Sequence, residues 1–116
     1  MSNITRVNVG KRLSDMAVHN GVAYLAGQVA DDTTQDITGQ TGQILAVIDK
    51  LLATAGTDKT RILMAQIFVA NMKEFDGMNK AWDAWVAEGN APPRATIEAR
   101  LASADYKVEI VVTAAV

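Results

Sequence analysis

The stretch SDMAVHNGVAYLAGQ, residues 14–28, holds two short runs of alternating apolar and polar residues on either side of Asn20-Gly21. Asn-Gly between such runs is a strong short-range signal for a β-hairpin, because both residues tolerate the positive φ that a type I′ turn demands. The stretch therefore reads as two antiparallel strands, and it opens an element order that the rest of the chain completes.

Upstream, TRVNV (5–9) alternates and gives a further strand. Downstream, VADDTTQD (29–36) is a polar loop, after which the period changes. Ile44, Leu45, Val47, Ile48, Leu51 and Leu52 recur at the spacing of one helix face between residues 37 and 55, and Gly56 suits the position just past the helix end. RILMAQIFVA (61–70) is short and nearly all apolar, which predicts a central strand covered on both faces. Phe75, Met78, Trp82, Trp85 and Val86 mark a second amphipathic helix, closed by Gly89 and Pro92-Pro93. ATIEA (95–99) and KVEIVVTAAV (107–116) are the last strands, with LASADY (101–106) turning between them. The order β-β-β-α-β-α-β-β predicts a single α+β domain over residues 1–116, a mixed sheet with two helices on one face. In the last strand Glu109, Val111, Thr113 and Ala115 share the face away from Val108, Ile110, Val112 and Ala114. That face is too apolar to stand in water and predicts a partner subunit.

With 49% hydrophobic and 21% charged residues the chain is ordinary globular material, and at 116 residues it suits one domain. A formal net charge of −2, with lysines and arginines scattered, supplies no field for a nucleic acid backbone. The absence of cysteine excludes disulfides, thiolate nucleophiles and Cys-ligated metals. MSNITRVNVGKRL has no apolar leader core, and no run reaches the roughly 20 apolar residues of a membrane span, so a soluble cytoplasmic protein is expected. No metal site and no cofactor are expected. His19, the sole histidine, sits beside the hairpin turn and reads as an exposed turn residue. GQTGQ (39–43) lacks the Lys-Ser/Thr of a phosphate loop, and the Trp82/Trp85 pair at helical spacing reads as core.

Two residues stand out as chemistry. Arg94 follows Pro93 at the mouth of a strand, so its side chain leaves from a restrained backbone. Its guanidinium either grips a carboxylate ligand in bidentate fashion or pairs with a nearby helix carboxylate such as Glu88. Glu109, set inside VEIVV, is either a rim residue on a solvated face or a buried base.

LAGQVA (25–30), QIFVANMKEFDGMNKAWDAWV (66–86) and APPRATIEARL followed by YKVEIVVTAAV (91–101 and 106–116) resemble the RidA (YjgF/YER-type, endoribonuclease L-PSP) family, most of all its YoaB-like branch. The resemblance covers essentially the whole chain. It implies a chorismate-mutase-like fold, assembled as a homotrimer with sites in the clefts between subunits. It also implies hydrolysis of reactive enamines and imines, such as 2-aminoacrylate and 2-iminopropanoate, to 2-keto acids and ammonia. Under it Arg94 matches the arginine that holds the substrate carboxylate, and Glu109 the glutamate that positions or activates water. Gly27 matches a glycine whose backbone lines the site, and Asn79 an asparagine near the cleft. Thr96 stands where the RidA branch has a cysteine, and its backbone could orient the water. The chain departs from the pattern at Ala26, where RidA has a serine, and at Leu13, where an aromatic is expected. Both changes make the pocket less polar and open a second reading, a module that binds small carboxylates or 2-keto acids without turnover. The family's older ribonuclease label fits poorly with so acidic a chain.

Overall fold

The computed structural model describes residues 3–116; Met1 and Ser2, part of the stretch read above for a leader, lie outside the described residues. Six strands form one sheet: β1 (Thr5–Val9), β2 (Ser14–His19), β3 (Val22–Leu25), β4 (Ile62–Val69), β5 (Arg94–Glu98) and β6 (Val108–Ala115). Two helices, α1 (Ile37–Thr54) and α2 (Phe75–Trp85), complete the expected order. The spatial order is β1-β2-β3-β6-β4-β5, antiparallel throughout except for the parallel pair β4–β5.

The hairpin forms where the sequence places it. Asn20 has φ 50° and Gly21 φ 79°, and His19 pairs with Val22 across the turn. β3 and β4 both run antiparallel to β6, so they are parallel to each other, with β6 between them. The crossovers β3-α1-β4 and β4-α2-β5 therefore join parallel strands and step through the sheet in the same direction. Right-handed crossovers then put both helices on one face.

Each helix has local reasons for its ends. Asp36 caps α1, its carboxylate accepting the Gly39 N–H at 2.9 Å. At the other end Gly56 has φ 79°; its N–H meets the Ala53 carbonyl and the Thr57 N–H that of Leu52, which is the Schellman pattern. Ile44, Leu45, Ile48, Leu51 and Leu52 are buried on the sheet, each contributing about 1.5–3 kcal/mol. Val47 departs from the expected face and is exposed. The helices meet closely, because the Thr38 hydroxyl donates to the Gly77 carbonyl and a Cβ at Gly77 would lie 2.7 Å from Ile37 Cγ2. Gln40 is fully buried at the head of α1. Its amide donates to the Asp105 carbonyl and accepts the Lys107 N–H at 3.0 Å, so it ties the 101–107 turn and the start of β6 to the helix. No helix of the described residues is long and apolar enough to cross a membrane.

Two expectations need correction. The 61–70 run is not covered on both faces. It lies one strand in from the edge, and both helices sit on the same side of it. Its other side carries Leu63 and Met64, 48% and 43% exposed, turned outward by a register shift between Ile62 and Met64. Its continuous apolarity reflects two apolar faces of which the chain itself covers one. The second helix also ends a turn earlier than Gly89. Val86 is extended (ψ 140°), Lys59 Nζ donates to the Trp85 carbonyl, and Gly89 (φ 79°) belongs to the turn that follows.

The open face is built in rows by the strand register. Ala17, Tyr24, Thr113 and Met64 form one row, and Glu109, Phe68 and Ile97 another. Tyr24 is 53% and Ile97 45% exposed on it.

Glycines 42 and 56 test the account of α1. Neither has an atom within 4 Å of an added Cβ, but only Gly56 has positive φ. Gly42→Ala is expected to stabilise the protein by about 1 kcal/mol. Gly56→Ala is expected to destabilise it by about 1 kcal/mol. Opposite shifts of the urea midpoint check both.

Candidate functional site

The sequence singled out Arg94, Glu109, Gly27, Asn79, Thr96, Leu13 and Ala26. The fold gathers most of them into two groups, on opposite sides of the sheet.

The first group surrounds Arg94. It opens β5, an edge strand, directly after Pro93, whose carbonyl takes the Ala65 N–H at 3.0 Å. Arg94 pairs with Ala65, which in turn faces Val112; Ala65 and Val112 are buried beneath the helices, so Arg94 leaves the sheet on the helix side. There its Nη1 donates to Asn79 Oδ1 at 2.8 Å, and its Cζ lies 5.2 Å from the centre of the Trp82 ring. The partner is thus a neutral amide and an aromatic face, not Glu88, which lies exposed beyond the end of α2. The guanidinium fork keeps its charge uncompensated by that amide, with donors to spare.

Thr96 follows two residues on, pairs with the buried Ile67 and shares the side of Arg94. Its hydroxyl is buried without a hydrogen-bond partner. The ladder to β4 uses the Pro93 carbonyl at one end and the Ala99 N–H at the other, and in a parallel pair alternate residues of a strand bond to one neighbour. The peptide groups of Arg94, Thr96 and Glu98 therefore point away from β4, to the free edge. A positive fork and unpaired peptide N–H groups stand along that edge strand, with the unpaired Thr96 hydroxyl buried on the same side as the fork. This is what a small anionic ligand and a water molecule need.

The second group surrounds Glu109. It pairs with Phe68, which pairs with Ile97, and so lies on the open face. Its carboxylate rests against Gly27: a Cβ there would fall 2.2 Å from Oε2 and 2.9 Å from Cδ. The Gly27 backbone is pinned on both sides. Gln28 and Ile110 exchange N–H···O bonds of 2.9 and 3.1 Å, and the Ala26 N–H donates to the Asp15 carbonyl at 2.9 Å. Gln28 also turns its amide back to the Ala26 carbonyl at 2.9 Å. Ala26 is half-buried next to this glycine. Leu13, 61% exposed, sits at the turn between β1 and β2, its carbonyl taking the Gly10 N–H. In the loop beyond Gly27, Asp32 is held below the usual carboxylate range by the Thr34 hydroxyl and N–H.

The chain does not bring the groups together. Glu109 and Arg94 are two strands apart and offset by three residues, so their Cα atoms are on the order of 14 Å apart, with side chains on opposite faces. One copy cannot close both on one small molecule. A depression of about 720 Å³ lies elsewhere, lined by Glu98, Arg100, Tyr106 and neighbouring residues of 99–104 at the far end of β5. Its one carboxylate, Glu98, is engaged by the Met72 N–H at 2.9 Å.

Sequence reasoning missed Trp82 as part of the Arg94 group. It is 5% exposed and belongs to the core as read, yet one face of its ring lies beneath the guanidinium. The available signal was its position three residues after Asn79, on the same helix face. His19 is half-buried rather than exposed; its Nδ1 lies 3.4 Å from the Asn3 carbonyl, and its other ring nitrogen meets the Asn20 amide at 3.1 Å.

Comparison with known proteins bears on this geometry. The family model described as Endoribonuclease L-PSP matches residues 4–116. A RutC family protein of Haemophilus ducreyi is 58% identical over 113 residues, covering 97% of each chain. The RutC family protein YoaB of Escherichia coli is 45% identical, covering 97% of this chain and 98% of its own. A solved structure of a YjgF protein family member from Neisseria meningitidis superposes with a TM-score of 0.95 at 40% identity, over 97% of this chain and 94% of that one.

The packing of Glu109 on Gly27 yields a direct test. In a crystal structure of Gly27→Ala the Glu109 carboxylate should occupy another rotamer, with the backbone of residues 26–28 unmoved, because the displaced group is the end of a flexible side chain. A backbone shift with Glu109 in place would contradict this.

Proposed function

The chain belongs to the endoribonuclease L-PSP (YjgF/Rid) family, within reach of its YoaB-like branch, and we propose that it is an enamine/imine deaminase whose sites are shared between copies of the chain. The substrate class is the small 2-imino acid, 2-iminopropanoate or 2-iminobutanoate, and the products are the 2-keto acid and ammonia.

The observation that carries this reading is Arg94, an edge arginine held by an amide and a ring and left free to take a ligand carboxylate. Glu109 supplies the complementary group. Because the edge of β5 and the open face lie on different surfaces of one chain, the contact that joins them is heterologous: the edge of one copy meets the open face of the next. Such a contact repeats from copy to copy and forms a ring when its rotation closes. The resemblance noted above makes that ring a homotrimer. The apolar rows around Tyr24, Met64 and Ile97 supply the surface for it.

In the proposed reaction Arg94 of one copy fixes the carboxylate in a bidentate clamp, which orients the C=N carbon. Glu109 of the neighbouring copy accepts a proton from water as the water oxygen bonds to that carbon. The C=N π pair moves to nitrogen, giving a carbinolamine. Glu109 returns the proton to nitrogen; as the C–N bond breaks and ammonia leaves, the carbinolamine hydroxyl gives its proton to the Glu109 carboxylate and the carbonyl forms, and that proton passes on to ammonia as ammonium. An iminium carbon is already electrophilic, so positioning and one base are sufficient sources of rate.

Leu13 and Ala26 support a second reading, binding of a 2-keto acid or similar carboxylate without turnover, since they offer no polar group to the Glu109 side. The family's ribonuclease label finds no support in a chain of net charge −2.

The test generates 2-iminopropanoate and 2-iminobutanoate from an amino-acid oxidase in the presence of semicarbazide. The protein should suppress semicarbazone formation. Arg94→Ala should lose the effect by about a hundredfold, and Glu109→Gln by about 10²–10⁴-fold, with unchanged circular dichroism. No suppression, together with calorimetric binding of pyruvate, would replace the deaminase reading with the binding one.

A further inference from the structure

Arg94 is exposed to two very different neighbours on α2, and only one of them uses its hydrogen-bonding capacity. Asn79 Oδ1 takes an N–H of Nη1 at 2.8 Å. Trp82 takes none; Cζ stands over its ring, 5.2 Å from the ring centre, within the range of a cation–π contact. The ring is itself fixed. It is 5% exposed and packs against Trp85, with centroids 5.3 Å apart and planes at 55°. Trp85 is anchored in turn, since its Nε1 donates to Asp49 Oδ2 at 3.0 Å and Lys59 Nζ stands 5.1 Å over its ring. A chain of rigid aromatic groups thus runs from α1 to the guanidinium.

We infer that Trp82 is a positioning residue for the Arg94 fork: its ring covers one face of the guanidinium and, with Asn79, sets the plane in which the remaining N–H groups meet a carboxylate. The inference rests on the reading of Arg94 as a carboxylate clamp. An arginine side chain free to rotate spreads its donors over many directions, and a bidentate match needs one. The amide fixes a single point of the fork, about which the plane could still swing. The ring removes that freedom without consuming a donor. It also takes the place of water on one face, which strengthens the charge–carboxylate contact. The device sets affinity for the carboxylate and leaves the proton transfers to Glu109.

The experiment compares wild type, Trp82→Phe, Trp82→Leu and Arg94→Ala as full-length oligomers. Pyruvate is the calorimetric probe, and the Arg94 Nε–H resonance is the spectroscopic one. Trp82→Phe keeps an aromatic face and should hold pyruvate within about twofold of wild type; Trp82→Leu should weaken it on the order of three- to tenfold. In wild type the Arg94 Hε should lie upfield of exposed arginines such as Arg100, through the ring current of Trp82. It should return toward them in Trp82→Leu. The wild-type spectrum decides the matter even if Trp82→Leu does not fold: an Arg94 resonance at the exposed position overturns the inference, as does wild-type pyruvate affinity in a folded Trp82→Leu. If instead Arg94→Ala binds pyruvate as tightly as wild type, the clamp reading itself falls. Loss in Arg94→Ala with none in Trp82→Leu removes only the role of Trp82.

Discussion

The ladders joining β6 to β4 and β4 to β5 are the constraint on which the rest of this structure depends. A strand turns successive side chains to opposite faces, so register alone decides which residues can meet. The rung Val112–Ala65–Arg94 faces the helices, and the rung Glu109–Phe68–Ile97 faces away from them. A slip of one residue in either pairing would bury Glu109 under α1 and α2 or turn Arg94 from Asn79 and Trp82. The buried side chains that fix the register, Ile67, Val69, Val108, Ile110 and Val112, are also the centre of the core. Stability and the geometry of the candidate site therefore rest on the same contacts.

The same constraint explains why one copy of the chain does not hold both groups of the proposed site together. Both crossovers progress in one direction, so both helices cover one face, and the other keeps its apolar rows. The pair of groups that the proposed chemistry needs is split between the edge of β5 and that uncovered face. Each half is nevertheless preorganised. Arg94 is held by Asn79 and Trp82, and Glu109 is seated on Gly27, whose neighbours are bonded to β2 and β6. Preorganisation within each half limits what must be ordered when the halves meet.

Much of this was legible in the sequence. Asn20-Gly21 named the hairpin, the spacing from Ile44 to Leu52 named α1, and Gly56 its end, because each is a local rule with a local cause. The alternation Val108–Ala115 separated the two faces of β6 correctly. The 61–70 run reads as doubly covered, since an apolar strand looks the same whether its second face meets the chain's own helix or none. At the early end of α2 the Trp85 carbonyl is met by Lys59, distant in sequence, and so this end has no local signature. Arg94 and Glu109 stand out in the sequence as candidates, the first from its place after Pro93 and both from family resemblance. Their separation onto opposite faces follows from which strands pair, and pairing is a property of the whole fold. Trp82 was read as core because burial and service to a neighbouring side chain leave the same periodic trace.

The central claim is that the proposed site takes Arg94 from one copy and Glu109 from another. Subunit complementation tests it most directly. Arg94→Ala and Glu109→Gln chains, each inactive alone, would be dissociated, mixed in equal amounts and reassembled, and imine hydrolysis followed by semicarbazide competition. Random assembly with sites shared between neighbouring copies gives one half times one half, so about a quarter of wild-type activity should return. Activity that stays at the level of the separate variants, in mixtures verified to contain hybrid oligomers, would place both groups in one copy and contradict the account.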